Sequence, residues 1–97
     1  MTRISADYIF ENDEAKVLSV SRGEQIKLQG IGSGTYKLKG RLSTDCTFDE
    51  ICVVKATTLA TTREVSDTSV YIADISGYAQ ITVEALGFDK IFATVVG

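Results

Sequence analysis

Residues 70–85, VYIADISGYAQITVEA, carry the clearest structural signal in the chain. They form two arms in which apolar and polar side chains alternate. A period of two is typical of β-strands, because successive side chains point to opposite faces of a sheet. Between the arms, Ser76 and Gly77 supply turn chemistry. Two amphipathic strands are not stable alone, so the rest of the chain has to provide a second sheet over their apolar face.

Other segments repeat this pattern at intervals of about ten residues. They are residues 16–21, 25–29, 35–43, 50–55 and 90–96, the fourth of which is apolar enough to be covered on both faces. No segment combines a helical period with a helix cap. The pattern predicts an all-β fold, a two-sheet antiparallel sandwich resembling a jelly roll, with seven or eight short strands. Residues 1–13 are predicted to be an N-terminal arm or an edge strand, and residues 14–97 one sandwich domain.

The phase of the alternation also predicts the core. The residues expected to be buried are Leu18, Val20, Ile26, Leu28, Tyr36, Leu38, Leu42, Ile51, Val53, Tyr71, Ile75, Ile81, Val83, Ile91 and Val95. Gly40 interrupts a strand and indicates a bulge or the close approach of another backbone. The threonine-rich residues 57–62 are predicted to be exposed, either as a polar loop or as an edge that pairs with another chain.

Composition excludes several functional classes. The 97 residues carry a net charge of −3 and contain no histidine. Net negative charge argues against non-specific binding to nucleic acid or to an anionic membrane. The absence of histidine removes His-based triads and His–zinc sites. The first ten residues do not resemble a signal peptide, and no run approaches the ~20 apolar residues of a membrane span, so we expect synthesis and initial retention in the cytoplasm.

No motif in the sequence predicts a catalytic, cofactor or metal site. The glycine-rich residues 30–34 precede a strand rather than a helix, which favours a strand corner over a phosphate loop. Glu11, Asp13 and Glu14 lack the spacing of a calcium loop. Cys46 and Cys52 are expected to be free thiols, with a bridge as the alternative, and Cys52 is expected to be a small buried residue. We therefore predict that the protein is not an enzyme.

Two groups of apolar residues are candidates for binding a partner. Tyr8, Ile9 and Phe10 form a cluster between polar residues near the N-terminus, and leaving such a cluster in water is unfavourable. It either docks on a neighbour or forms an edge strand of its own sheet. Val70 and Ile72 lie on the outward side of the first arm of residues 70–85, where apolar side chains indicate a protein contact.

Aromatic residues near strand ends allow a second kind of site. Tyr78 and Phe88 could form a platform on which a sugar stacks, because aromatic faces pack well against apolar surfaces. The alternative is that both rings close the core.

Three segments and a closing strand carry a further pattern: GSGTYKLKGRLS (32–43), TFDEI (47–51) and VYIADISGYAQITVEA (70–85). In these segments the chain resembles a family of small β-sandwich proteins and modules of tailed-phage virions. The family pattern is G-T-Y-x-L-x-x-x-G-S-L-D-G, then F-x-x-I, then Y-x-V-D-V-S-G-Y-x-x-V-x-V. The chain departs from it at residues 44–46, where the modules have a D-G turn followed by an aromatic residue.

The resemblance implies a non-enzymatic structural protein of the virion, made in the host cytoplasm. Its expected role is capsid decoration or cement, with the major capsid protein or another virion protein as partner and with the chain acting as a homo-oligomer or bound to a lattice. The alternative is a glycan-binding or adhesion module on a head fibre or tail, with a host glycan as ligand. No cofactor, metal, nucleic acid or membrane is expected.

Overall fold

The computed structural model describes residues 5–11, 16–20 and 23–96, and it confirms the predicted antiparallel sandwich. Over these residues the chain forms ten strands rather than the seven or eight predicted. Their bounds are β1 Ser5–Glu11, β2 Val17–Ser19, β3 Gln25–Ile31, β4 Thr35–Arg41, β5 Asp49–Ile51, β6 Val53–Lys55, β7 Thr61–Thr62, β8 Tyr71–Asp74, β9 Gln80–Leu86 and β10 Lys90–Val96.

The strands form one sheet of six strands and one of four. The six-stranded sheet has the order β1-β10-β3-β8-β6-β7, and the four-stranded sheet the order β2-β9-β4-β5. All pairs are antiparallel, and β1 pairs with β10 over its whole length. Of the two alternatives for the N-terminal segment, the structure has the edge strand. Residues 1–4 and 12–13 of that segment lie outside the described residues.

The two arms of residues 70–85 belong to different sheets. The first contains β8 of the six-stranded sheet, and the second contains β9 of the four-stranded sheet. The turn at Ser76 and Gly77 therefore carries the chain across the sandwich instead of closing a hairpin. Ile75 and Ile81, one from each arm, are fully buried in the core between the sheets.

The prediction of one strand over residues 50–55 was wrong. The chain changes sheets there, and Cys52 is the one residue between β5 and β6. Ile51 and Val53 are buried, whereas Cys52 is exposed, which corrects the expectation that this thiol is buried. Cys46 is also exposed, and both cysteines are free.

The core matches the predicted phase with one exception. Every residue expected to be buried is buried, except Leu42, which is 66% exposed. The reason is that β4 ends at Arg41, so the alternation does not reach the next inward position. The buried apolar residues outside the predicted set are Phe10, Val65, Ala73, Phe88 and Ala93.

Two corners that carry the chain between the sheets lie back to back. One connects β3 to β4 through Gly32 and Gly34, and the other connects β9 to β10 through Gly87. A Cβ atom on Gly34 would collide with the carbonyl oxygen of Leu86. A Cβ on Gly87 would lie 2.9 Å from the carbonyl oxygen of Ser33. The two backbones touch directly, and only glycine permits this approach.

Phe88 enters the core immediately after this contact. Its ring packs edge-on against Tyr36, with ring centroids 5.5 Å apart and an interplanar angle of 70°. It also lies against Gly30, where a Cβ atom would come within 2.7 Å of the ring. Phe88 is therefore a core residue and not part of a sugar platform. Gly40 leaves room for Tyr78 in the same way, because a Cβ atom on Gly40 would lie 2.6 Å from the Tyr78 ring. The group that approaches Gly40 closely is therefore a side chain and not the predicted backbone.

Truncating Ile81 to alanine should lower the free energy of unfolding by about 2–5 kcal/mol, because a fully buried side chain leaves a cavity. The matched variant Leu42→Ala removes the same number of carbons from an exposed position and should change stability by less than about 0.5 kcal/mol. Equilibrium denaturant unfolding measures both. Equal losses would contradict the register.

Gly34→Ala should be much more destabilising than Gly77→Ala. Both glycines have positive φ (139° and 88°), so both variants lose about 1–2 kcal/mol to an unfavourable backbone conformation. Only Gly34 faces another backbone, since nothing lies within 4 Å of a Cβ at Gly77. Thermal unfolding of the two variants tests this difference. Similar melting temperatures would show that the corner contact is not a constraint.

Candidate partner-binding surface

The structure separates the N-terminal cluster into inward and outward side chains. Phe10 is 1% exposed and belongs to the core, and Tyr8 is partly buried against it. Of these three residues only Ile9 points outward, with 41% of its surface exposed. The three residues therefore do not form a free docking arm, because strand alternation places two of them under the sheet.

Ile9 belongs to an apolar group on the outer face of the six-stranded sheet. It lies directly opposite Phe92 on β10, and Phe92 lies opposite Gln29 on β3. Ile31 is two residues beyond Gln29, on the same face. We call Ile9, Phe92 and Ile31 the outer strip. Their exposed fractions are 41%, 40% and 49%, which is high for large apolar side chains in paired strands.

Val70 and Ile72 lie toward the other side of the same sheet. Ile72 is half-buried on β8, opposite Lys27 of β3 and Val54 of β6. Val70 precedes β8, is half-buried, and accepts a hydrogen bond from the backbone of Ala56. Ile72 therefore shares the outer face with the outer strip, on the strand next to β3 and opposite Lys27. Val70 lies just before the start of β8.

The outer face of the four-stranded sheet is charged instead. Lys39 Nζ lies 2.7 Å from Glu84 Oε2 across β4 and β9, and this hydrogen bond lowers the pKa of Glu84. Lys37 is 3.6 Å from Glu50, and Arg41 donates a hydrogen bond of 2.7 Å to Gln80. These cross-strand pairs satisfy one another in water. Val17 on β2 and Leu86 on β9 are also exposed on this face, but Val17 lies opposite Thr82, four residues from Leu86, so the two are not adjacent.

A shallow cleft lies at the end of the four-stranded sheet, near Tyr78. Its volume is about 260 Å³. The lining residues are Gly40, Arg41, Leu42, Cys46, Thr47, Asp49 and Tyr78. Phe48 stacks under the Arg41 guanidinium at 4.5 Å. Of the two aromatic residues proposed for sugar stacking, Tyr78 therefore lies in a cleft with polar neighbours, while Phe88 does not.

A cluster of polar side chains around Asp67 lies beside β8. Asp67 accepts hydrogen bonds from the Ser69 backbone at 3.1 Å and from Lys55 Nζ at 3.2 Å. The Ser69 bond, followed by those from Lys55 and Tyr71, lowers the pKa of the Asp67 carboxyl. Nearby, burial raises the pKa of Tyr36, whose hydroxyl has no hydrogen-bond partner among the described residues.

Within residues 5–11, 16–20 and 23–96, no group of three or more His, Cys, Asp and Glu side chains could hold a metal ion. The same part of the chain contains no helix long and apolar enough to cross a membrane. Glu11 lies in β1, and Asp13 and Glu14 of the acidic segment lie outside the described residues.

This geometry defines a small antiparallel sandwich in which the six-stranded sheet carries the outer strip and the four-stranded sheet carries cross-strand charged pairs. No protein-family model matches the sequence, and no curated protein sequence matches it. Solved structures that share the fold include two prophage proteins. The SPBc2 prophage-derived protein YomS aligns with a TM-score of 0.76 at 16% identity, over 97% of this chain and 96% of YomS. The PBSX exported protein XepA aligns with a TM-score of 0.85 at 20% identity, over 100% of this chain but 39% of XepA.

Replacing Asp67 with asparagine should lower the free energy of unfolding at neutral pH, and the loss should shrink as the pH falls. The folded pKa of Asp67 lies below the ordinary value of 3.8, so its ionised form stabilises the fold above that pH. Protonation removes this contribution as the pH falls below 3.8 toward the folded pKa. Denaturant unfolding of parent and variant across a pH series measures the difference. A loss that stays constant with pH would contradict the assignment.

Proposed function

We propose that this chain is a non-enzymatic structural protein of a bacteriophage particle, which decorates the capsid by binding the major capsid lattice. The outer strip carries this proposal. Ile9, Phe92 and Ile31 expose 40–49% of their surfaces on one face of the sandwich. Exposed apolar groups that lie together on a face rimmed by charge are typical of protein contacts. The opposite face carries ion pairs such as Lys39–Glu84, and its exposed apolar residues, Val17 and Leu86, do not lie side by side.

The size of the outer strip fits repeated, individually weak contacts. Burying a whole large apolar side chain contributes roughly 1.5–3 kcal/mol to binding. Burying only the exposed part of one side chain of the outer strip therefore contributes about 1 kcal/mol. Three residues then contribute about 3 kcal/mol, less than the ~4 kcal/mol of even a millimolar complex. Neighbouring side chains such as Ile72 have to add contacts. A repeating lattice, or an oligomer of this chain, would raise the overall affinity by multivalency.

The shared fold supports a phage origin. YomS, which aligns over nearly the whole chain, is prophage-derived. XepA is described as exported, so release from the cell is the alternative location to the virion. Because this chain corresponds to 39% of XepA, the activity of that whole protein is not carried over. The proposal of a non-enzyme rests on the sequence, which contains no histidine for acid–base chemistry.

A glycan-binding module is the second candidate, and the cleft at Tyr78 favours it. An aromatic ring beside Asp49 and Arg41 offers one stacking surface, one acceptor and one donor. Arg41 is already engaged with Gln80 and with the carbonyls of Thr44 and Cys46, which limits its use for a ligand. We therefore place this function second to protein binding.

The test is binding of the purified protein to capsids of the phage that encodes it, assembled without this protein. Phe92→Asp and Ile72→Lys should each weaken binding by about tenfold or more, because each places a charge in the proposed contact. Co-sedimentation measures occupancy, and circular dichroism checks that the variants remain folded. Deleting residues 1–13 is not a clean test, because it removes β1 and the buried Phe10.

Val17→Asp is the matched control. Val17 is 47% exposed on β2 of the four-stranded sheet, so the change is chemically similar but lies on the other face. It should leave capsid binding unchanged. Equal binding by parent and Phe92→Asp would contradict the proposal. Binding to a glycan array that Tyr78→Ala abolishes, without capsid binding, would favour the second candidate.

A further inference from the structure

Lys27 lies in the middle of the outer face of the six-stranded sheet. It is exposed on β3, directly opposite Thr94 of β10 on one side and Ile72 of β8 on the other. Phe92 is two residues from Thr94, on the same face of β10. Neighbouring strands lie about 4.8 Å apart, so a partner that touches both Phe92 and Ile72 has to cover the lysine between them.

The neighbours of Lys27 leave its charge unpaired. No carboxylate among the described residues forms an ion pair with it. Asp7 lies beyond Thr94 in the same cross-strand row, and it accepts a 2.8 Å hydrogen bond from the Thr94 hydroxyl. Asp74, at the end of β8, accepts one of 2.8 Å from the Ser76 backbone. In the unbound protein, water therefore solvates the Lys27 ammonium.

A contact on this face would remove that water. Taking an ammonium out of water is unfavourable unless a carboxylate or other acceptor replaces the solvent. On the four-stranded sheet, Lys37 and Lys39 each have a glutamate on a neighbouring strand. Lys27 has Thr94 and Ile72 in the corresponding places, so this chain does not supply the replacement.

We propose that the partner bound by the outer face presents a carboxylate to Lys27, so that an intermolecular ion pair lies between the apolar contacts at Phe92 and Ile72. This inference rests on the proposed docking face and adds the chemistry of the surface that fits it. The occupant is a capsid protein surface on which an Asp or Glu side chain lies among apolar residues. The ion pair fixes the orientation of the contact, because complementary charges specify register more sharply than apolar side chains do.

A protein carboxylate fits this position better than the phosphates of a nucleic acid. Proteins that bind nucleic acid present several cations along one face, one for each phosphate contacted. Lys90, a second lysine of this face, lies opposite Glu11 on β1, and the whole chain carries a net charge of −3. The apolar side chains beside Lys27 also match a protein surface, because protein interfaces combine an apolar centre with a few polar contacts.

The first experiment measures binding of Lys27 variants to capsids of the encoding phage assembled without this protein. Lys27→Met keeps an unbranched side chain but leaves the carboxylate of the partner unpaired, so it should weaken binding by about tenfold or more. Lys27→Arg keeps the charge and should retain most of the affinity. Lys27→Glu places like charges together and should bind more weakly than Lys27→Met. Lys39→Met makes the same change on the four-stranded sheet and should bind like the parent.

The second experiment identifies the carboxylate. A water-soluble carbodiimide activates a carboxylate, and a lysine amine in contact with it then forms an amide bond as the urea leaves. Mass spectrometry of the capsid-bound protein should find Lys27 joined to an Asp or Glu of the capsid protein. Lys27→Arg should remain bound but lose this cross-link, because its guanidinium does not react.

The outcomes separate this proposal from the docking face. It is overturned if folded Lys27→Met binds capsids as tightly as the parent or more tightly, or if no cross-link forms at Lys27. Weak binding by Phe92→Asp together with unchanged binding by Lys27→Met would remove the ion pair and leave the docking face. Unchanged binding by both would remove both. A parent dimer in analytical ultracentrifugation that Lys27→Glu dissociates would make a second copy the occupant, which also overturns the capsid partner.

Discussion

The contact between two glycine corners fixes how the two sheets face each other. Gly34 and Gly87 bring the β3–β4 and β9–β10 connections into direct backbone contact. Both connections pass from one sheet to the other, so this contact sets the spacing of the sandwich at that end. Phe88 follows at once and fills the space beneath Gly30. Gly30 thus leaves room for the Phe88 ring, while Gly34 and Gly87 let the two corners touch. Protein interiors require such close packing.

The outer faces of the two sheets present different groups of side chains. On the four-stranded sheet, Lys37 and Lys39 of β4 pair with Glu50 on β5 and Glu84 on β9. On the six-stranded sheet, β1, β3 and β10 present isoleucine and phenylalanine at positions that alternation leaves outside. A fold of this size could have covered either face with charge. The outer strip, in which exposed apolar side chains lie on three neighbouring strands, is the observation on which the proposed docking face rests.

Alternation predicted the fold class and nearly the whole core, because period and burial are tied together in an amphipathic strand. It could not predict where a strand leaves one sheet for the other. Residues 50–55 show this, since Cys52 looks like an interior position in one strand but lies at the junction of two. Val65 was missed because its burial comes from an isolated bridge to Tyr36, which has no period. For the outer face, the sequence identified Ile9 and Ile72 but not Phe92 or Ile31, since only the strand order brings these side chains together.

At Cys52, the number of residues between β5 and β6 is more tightly constrained than the identity of the side chain. One residue separates β5 from β6, and the side chain there points into solvent. A different side chain at this position would meet little resistance. One added or removed residue, however, would turn Ile51 or Val53 outward and shift the register of a whole sheet. The hairpin between β6 and β7 has no such limit, so related chains should vary in length there while keeping a fixed count across Cys52.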